Sequence, residues 1–213
     1  LGLSGANVTV PHKEDAFRAC DEVRGFAKEI GVVNTLINEN GKLIGYNTDA
    51  DGFMFAIKEF GAIKNALILG AGGTAKALAA RFAQEGIETT VLNRSKNRLE
   101  SFKDLDLTCH TWESFNACHY DLVVNTTSAG LSDDELPASK TLTQEILNHS
   151  SYVADAIYGK VTPFLKLACE NNKPHKDGSD MLLGQGVLAN HLFTQGEFTL
   201  EEIQEYMSRS FLL

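Results

Sequence analysis

An apolar run, Ala66-Leu67-Ile68-Leu69, ends in Gly70-Ala71-Gly72-Gly73, and this junction limits the fold more than any other feature of the chain. Behind it, Ala75, Leu78, Ala79 and Phe82 recur at helical spacing up to Gln84, and Gly86 supplies a helix stop. Glu88-Thr89-Thr90-Val91-Leu92 then reads as a β-branched strand. Strand, glycine turn, helix and strand make a βαβ unit of the dinucleotide-binding type, whose two strands must run parallel. Glycines at the turn let backbone N–H groups approach a phosphate, and the helix behind them adds the positive end of its dipole. Glycine turns also join strands to helices for packing alone, so the flanking elements carry the weight of this reading.

The alternation continues toward the C-terminus. Residues 98–102 are predicted helical. Asp121-Leu122-Val123-Val124 and Tyr152-Val153-Ala154-Asp155 are predicted buried strands. Thr162-Pro163 opens a helix with Thr as cap and Pro in the first turn. Ser179 or Asp180 is expected to cap the next helix, and Thr199 with Glu202 forms a capping box for the last.

Ahead of residue 60 the pattern changes. Residues 8–10 read as a short strand, and 13–30 as largely helical up to Gly31. Residues 32–38 and 42–45 read as a hairpin around Asn40-Gly41, and 49–60 as a helix closed by Gly61. The fold class is therefore α/β: a Rossmann-like dinucleotide-binding domain plus an incomplete α/β substrate domain. The expected division is 1–62 for the substrate domain, 63–180 for the dinucleotide-binding domain, and 181–213 for helices returning to the first. A lobe of about 60 residues has a marginal core and leans on further sequence or on its neighbour. A ligand is expected in the cleft between the lobes.

Net charge is −9, without the clustered Lys and Arg that nucleic acid requires, so a small-molecule partner is expected and nucleic acid is not. No apolar run reaches the ~18 residues of a membrane span, and no secretory signal is expected near Leu1, because residues 7–13 are too polar for a signal core. Cys20, Cys109, Cys118 and Cys169 form no CxxC pair. They suit reduced thiols in a cytoplasm, with no metal site. The oligomeric state, monomer or homodimer, is left open.

The end of the second Rossmann strand selects the cofactor. An NAD site places Asp or Glu there; this chain has Asn93-Arg94-Ser95-Lys96-Asn97-Arg98. Arg94 and Arg98 can hold a 2′-phosphate that a carboxylate would repel. Cations at a helix start are otherwise disfavoured by the dipole, which argues against a merely solvated basic turn. In the first lobe, Lys13 ends a predicted strand and Asp49 begins a predicted helix. A Lys beside an Asp can protonate a carbonyl oxygen during reduction and take the proton back in reverse. Alternatively, Asp49 caps its own helix and Lys13 is a surface residue. Asn7, Thr9, Asn34, Thr35, Asn47 and Thr48 crowd the same strand ends and suit a polyol ligand, although each could equally satisfy a local turn.

Together these patterns resemble shikimate dehydrogenases. Asn7-Val8-Thr9-Val10-Pro11-His12-Lys13 is similar to the family's lysine motif, Val33-Asn34-Thr35 to its asparagine-threonine motif, and Asn47-Thr48-Asp49 to its aspartate motif. Gly70-Ala71-Gly72-Gly73 resembles the nucleotide loop. Asn93-Arg94-Ser95 resembles the phosphate clamp, with Ser95 where Thr is common. Asn125-Thr126-Thr127-Ser128-Ala129-Gly130 resembles the segment near the nicotinamide. Asp155-Ala156-Ile157-Tyr158, Thr162-Pro163-Phe164-Leu165 and the stretch from Asp177-Gly178 to Gln185 follow in the family's order.

The resemblance implies NADPH-dependent reduction of 3-dehydroshikimate to shikimate, a step of aromatic amino-acid biosynthesis. It implies Lys13 and Asp49 as the catalytic pair, and substrate contacts from Thr9, Asn34, Asp49, Tyr158 and Gln185. It implies NADP(H) held by Gly70, Ala71, Gly72, Gly73, Asn93, Arg94, Ser95 and Arg98, with Thr126 and Ser128 beside the dinucleotide and Gly178 near the nicotinamide. It also places two carboxylate-binding serines of the family ahead of Leu1, so the chain is expected to be N-terminally incomplete. The alternatives are a quinate/shikimate dehydrogenase of relaxed specificity, a non-catalytic metabolite-binding homologue and an inactive fragment.

Overall fold

The computed structural model describes residues 3–9, 11–105 and 107–212. They form two compact units, residues 1–55 with 181–213, and residues 56–180.

The first unit is built on a four-stranded mixed sheet. Strand β1 (Gly5–Asn7) lies antiparallel to β3 (Thr35–Glu39), with Asn7 opposite Thr35. Helix α1 (Lys13–Ala19), strand β2 (Glu22–Val23) and helix α2 (Phe26–Ile30) come between them in the chain. β3 turns back into β4 (Lys42–Tyr46), and β2 runs parallel to β4, giving the order β1-β3-β4-β2. Asn40 and Gly41 both take positive φ, 54° and 84°, which a two-residue hairpin turn requires. Ala16, Ala27 and Val33 form a small core with Val8, Phe17, Cys20, Val23 and Leu36 against it. Helix α3 (Asp49–Ile57) follows, and a short 3-10 turn (Lys58–Phe60) ends at Gly61, φ 80°.

Two expectations fail here. The short strand covers Gly5–Asn7, not 8–10; Val8 only extends its bonding, through an N–H to the Asn34 carbonyl at 2.7 Å, and Val10 lies outside the described residues. The long helix over 13–30 is broken in two. Cys20 turns extended, and the N–H groups of Asp21 and Arg24 donate to the Leu43 and Gly45 carbonyls of β4, each at 2.9 Å. An open sheet edge claimed that segment's hydrogen bonds over its helical propensity.

The second unit is a six-stranded parallel sheet. Its strands are β5 (Asn65–Leu69), β6 (Glu88–Leu92), β7 (Thr108–His110), β8 (Tyr120–Asn125), β9 (Ser150–Asp155) and β10 (His175–Lys176). The spatial order β10-β9-β8-β5-β6-β7 is the doubly wound Rossmann arrangement, reversing direction between β5 and β8. The helices are α4 (Gly73–Gln84), α5 (Lys96–Leu99), α6 (Lys140–Asn148) and α7 (Pro163–Glu170). The central strands β5 and β8 are buried on both faces, and so their sequences read as nearly continuous apolar runs. Leu67, Leu69, Leu92, Val123, Ile146, Val153, Phe164 and Leu165 belong to one core. Thr162 caps α7, its hydroxyl accepting the Leu165 N–H at 3.2 Å. Strands β7 and β10 and helix α6 were not anticipated from the sequence, although α6 carries Ser139 as its cap and Leu142, Ile146 and Leu147 at helical spacing.

The chain closes with α8 (Ser179–Phe193) and α9 (Leu200–Ser208). Ser179 lies inside α8, and the carboxylate that receives its N–H, at 3.1 Å, is that of Asp177. The Thr199–Glu202 capping box of α9 is present in both directions. In the first unit, α3 and α8 touch backbone to backbone. A Cβ on Gly52 would lie 2.5 Å from the Gln185 nitrogen, and one on Gly184 3.0 Å from the Gly52 Cα.

Candidate active site

Lys13 and Asp49 are the first residues of α1 and α3, 36 positions apart in the chain. The Lys13 carbonyl accepts the Val33 N–H at 3.1 Å, which ties the start of α1 to the approach to β3. β4 then returns the chain so that Asp49 begins its helix beside the same strand end. The outcome is an ion pair, Lys13 Nζ to Asp49 Oδ2 at 2.5 Å, with side chains only 13% and 9% exposed.

The other carboxylate oxygen is also held. Asn34 Nδ2 donates to Asp49 Oδ1 at 2.8 Å and to Thr48 Oγ1 at 3.1 Å. The Asn34 Oδ1 end accepts the Thr48 N–H and the Thr35 hydroxyl, both at 2.8 Å. All the donor and acceptor positions of the buried Asn34 amide therefore go to protein partners. The cap of α3 is a neighbour: Asn47 Oδ1 accepts the Asp49 N–H at 3.1 Å, and Asn47 Nδ2 donates to the Val32 carbonyl. The Asp49 carboxylate is directed at Lys13 and Asn34, not at its own helix start.

Thr9 is exposed, and its carbonyl closes a turn by accepting the His12 N–H at 3.0 Å; its hydroxyl has no partner among the described residues. Gln185, on α8, turns its Nε2 back onto the Leu182 carbonyl at 3.0 Å, while its backbone packs on Gly52, one turn beyond Asp49.

The second unit carries the other half of the candidate residues, at the carboxyl ends of its strands, where ligands bind in such sheets. Gly70 has φ 111°, and a Cβ there would come within 2.8 Å of the Thr126 hydroxyl oxygen, so no other residue fits. Ala71 leads to Gly72, the N-cap of α4, which offers no side chain to its first-turn N–H groups. Those N–H groups and the dipole behind them suit a pyrophosphate. Thr126, at the end of β8, donates both its N–H and its hydroxyl to the Leu69 carbonyl, at 2.9 and 2.8 Å, and so locks the switch point of the sheet. Ser128 is exposed two residues on.

At the end of β6, Asn93 shapes a turn: its N–H donates to the His110 carbonyl and its Nδ2 to the Ser95 carbonyl at 2.9 Å. Arg94, Ser95 and Arg98 stand exposed around that turn, and neither guanidinium has a partner among the described residues. Two unpaired guanidiniums in an otherwise acidic chain match a phosphomonoester. Gly178 is set by packing, since a Cβ there would lie 2.4 Å from the Ala156 carbonyl oxygen. Tyr158, on the loop after β9, is 54% exposed.

The family follows from sequence relatives. The chain is 45% identical to the shikimate dehydrogenase (NADP(+)) of Helicobacter hepaticus, over 97% of this chain and 80% of that one. The chain belongs to the shikimate dehydrogenase family. The shikimate dehydrogenase (NADP(+)) of Helicobacter pylori is 44% identical, over 99% and 79% of the two chains. Residues 1–36 match the model of the shikimate dehydrogenase substrate binding domain. Among solved structures, shikimate 5-dehydrogenase of Thermus thermophilus in complex with NADP(H) and shikimate is 33% identical, with a TM-score of 0.84 over 98% of this chain and 79% of that one. Shikimate dehydrogenase of Aquifex aeolicus is 35% identical, with a TM-score of 0.82 over 97% and 77%.

In this shikimate dehydrogenase chain, one group of buried polar residues went unassigned in the sequence. Asn125 and Asp155 end neighbouring strands, 0% and 1% exposed, and pair through Asn125 Nδ2 and Asp155 Oδ1 at 3.1 Å. Thr127 donates to Asn125 Oδ1, and the Thr162 hydroxyl donates to Asp155 Oδ2 at 2.7 Å. Burial raises the Asp155 carboxyl above its ordinary range, against the pull of Thr162, Ile157 and Asn125. The network joins the loop after β8 to the loop after β9. An Asn and an Asp at the ends of two apolar runs were the available signal.

Proposed function

We propose that the protein is an NADP-dependent shikimate dehydrogenase that interconverts 3-dehydroshikimate and shikimate, with Lys13 and Asp49 as its catalytic pair. The ion pair of those two residues, assembled from helix starts 36 positions apart, is the observation that carries the assignment of roles. When bound, NADPH supplies the hydride that reduces the ring carbonyl carbon. The Lys13 ammonium meets the carbonyl oxygen as negative charge develops there, and gives it a proton to form the alcohol; the reverse reaction returns the proton to Lys13. Asp49 accepts from Lys13 through one oxygen and fixes the direction of the ammonium. Asn34 secures the other oxygen. Thr9, whose hydroxyl has no partner among the described residues, and Gln185, one helix turn from Asp49 across the α3–α8 contact, are the substrate-contact candidates on this unit; Tyr158 is a third on the other.

For the cofactor, the Gly70–Gly73 turn and the uncapped start of α4 suit the pyrophosphate, with Ala71 lining the turn. Arg94, Ser95 and Arg98, on the turn shaped by Asn93, suit the 2′-phosphate. Thr126, Ser128 and Gly178 border the carboxyl ends of β8 and β9, on the side assigned to the nicotinamide. The reading includes a cytoplasmic setting, where the four free cysteines stay reduced.

Absorbance at 340 nm, with shikimate or quinate and with NADP⁺ or NAD⁺, tests the proposal. Turnover of shikimate with NADP⁺, lost by about 10²–10³-fold in Lys13→Ala with NADP⁺ affinity retained, is the expected result. Absence of turnover with shikimate, or a Lys13→Ala variant as fast as the parent, overturns it.

A further inference from the structure

We infer that Thr35 is a positioning residue for the Asp49 carboxylate, the middle link of a one-way hydrogen-bond chain that runs from Asn7 to the catalytic pair. The inference rests on the roles proposed above for Lys13 and Asp49.

Four side chains make the chain. Asn7 Nδ2 donates to Thr35 Oγ1 at 3.3 Å. The Thr35 hydroxyl, fully buried, donates to Asn34 Oδ1 at 2.8 Å. Asn34 Nδ2 donates to Asp49 Oδ1 at 2.8 Å. The direction at each link follows from the chemistry. An amide flip cannot be read from shape alone, but the Thr48 backbone N–H can only donate, and it points at Asn34 Oδ1 from 2.8 Å. That end is therefore the oxygen, and the opposite NH₂ faces Asp49. The Thr35 hydroxyl has one proton, and Asn7 approaches it as a donor, so the proton goes to the nearer acceptor, Asn34 Oδ1 at 2.8 Å, ahead of the Thr48 hydroxyl at 3.4 Å. Every donor then points toward Asp49, and each link polarises the next.

The backbone supplies the reason for this placement. Asn7 and Thr35 are paired positions of β1 and β3, and Asn34 and Thr35 adjoin at the entry to β3. Two of the four residues thus sit in the sheet, Asn34 is tied to it by backbone bonds to Val8 and Tyr46, and only Asp49 stands on a helix. Losing the Thr35 hydroxyl leaves Asn34 Oδ1 with the Thr48 N–H at 2.8 Å and the longer approach of the Thr48 hydroxyl at 3.3 Å, and leaves Asn7 Nδ2 with only the Asn34 carbonyl at 3.5 Å. Asn34 then has a weaker hold on Oδ1, while Lys13 pulls on Oδ2.

The variants Thr35→Val, Thr35→Ser and Asn7→Ala, beside Lys13→Ala, test the relay by steady-state kinetics with shikimate and NADP⁺. Val keeps the shape of Thr without its hydroxyl. Thr35→Val is expected to lower kcat about tenfold, to change the KM for shikimate less than kcat, and to leave NADP⁺ affinity within about twofold. Thr35→Ser restores the hydroxyl and should return kcat to within about threefold of the parent. Asn7→Ala, at an exposed position, removes the first donor together with its long bond to the Asn34 carbonyl and should cost about threefold in kcat. A parental kcat in Thr35→Val, or a loss that Thr35→Ser fails to recover, overturns the relay. If Thr35→Val does not fold, a parental kcat in Asn7→Ala overturns it. Retained kcat in Lys13→Ala removes the catalytic-pair reading itself. A Lys13→Ala variant that loses turnover, beside a parental Thr35→Val, removes only the relay.

Discussion

Arg94 and Arg98 show how much a single unpaired cation can decide. Each is exposed with no carboxylate partner among the described residues, in a chain of net charge −9. Charge-assisted bonds to a phosphate are worth about 1.5–3 kcal/mol. Arg94→Ala is therefore expected to weaken NADPH binding about 10–100-fold and NADH binding hardly at all, as read by fluorescence titration. Equal losses for both would remove the 2′-phosphate from the account. Two buried or bridging acids give pH signatures of opposite sign. Burial raises Asp155, so the folded state holds its proton more tightly than the unfolded chain. The parent's stability relative to Asp155→Asn should be greatest below about pH 4 and decline as pH rises through the raised carboxyl range. Asp121 is lowered, first by the Lys64 N–H that its Oδ2 accepts at 2.8 Å. The parent's advantage over Asp121→Asn should be present above about pH 4 and vanish as pH falls. Urea midpoints measured across pH check both, and parallel curves for the two variants would refute the assignment.

At the scale of elements, glycine sets how closely two helices can pack. Gly52 sits within α3, where Gly→Ala ordinarily stabilises a helix by about 0.4–1 kcal/mol. Here the methyl group would press on the Gln185 backbone nitrogen at 2.5 Å and the Met181 carbonyl at 2.9 Å, neither of which can yield as a flexible side chain does. Gly52→Ala is expected to destabilise by about 1–3 kcal/mol, visible as a lower urea midpoint with an unchanged slope. A stabilised variant would show that α3 and α8 pack less tightly than described. The same contact puts Gln185 next to the helix that begins with Asp49, so the variant should also impair turnover. Elements with a local code were readable: the Asn40-Gly41 hairpin and the Thr162-Pro163 helix start follow from adjacent residues, and the α9 capping box from two residues three positions apart. Elements without one were not. β2 exists because β4 offered an edge to pair with, and nothing within residues 20–25 announces that.

For the molecule as a whole, two compact units imply that ligand and stability are linked unit by unit. The residues assigned to NADP lie within the 56–180 unit. NADP⁺ at about 100 times its Kd should stabilise that unit by about 2.7 kcal/mol. In calorimetry this should appear as a raised transition that Arg94→Ala largely abolishes. If unfolding resolves into two transitions, only one should move with NADP⁺; an equal shift of both, or of neither, contradicts the assignment. Among the described residues, no helix is long and apolar enough to cross a membrane.

The sequence alone determined what is encoded within a few positions or within one strand-turn-helix unit. The glycine turn, the parallel Rossmann strands and the cationic Asn93–Arg98 turn belong to that class, whereas Lys13 and Asp49 stood out as a pair only through the resemblance to the family. Only the tertiary structure decided which polar groups face one another. It brought the side chains of Lys13 and Asp49, 36 residues apart, to 2.5 Å, and it joined Thr35 and Thr48 to Asn34, and Asn34 to Asp49, in one hydrogen-bonded set. The physical reason is that hydrogen-bond partners are chosen by distance and direction in space. Side-chain periodicity reports only which face of an element is buried.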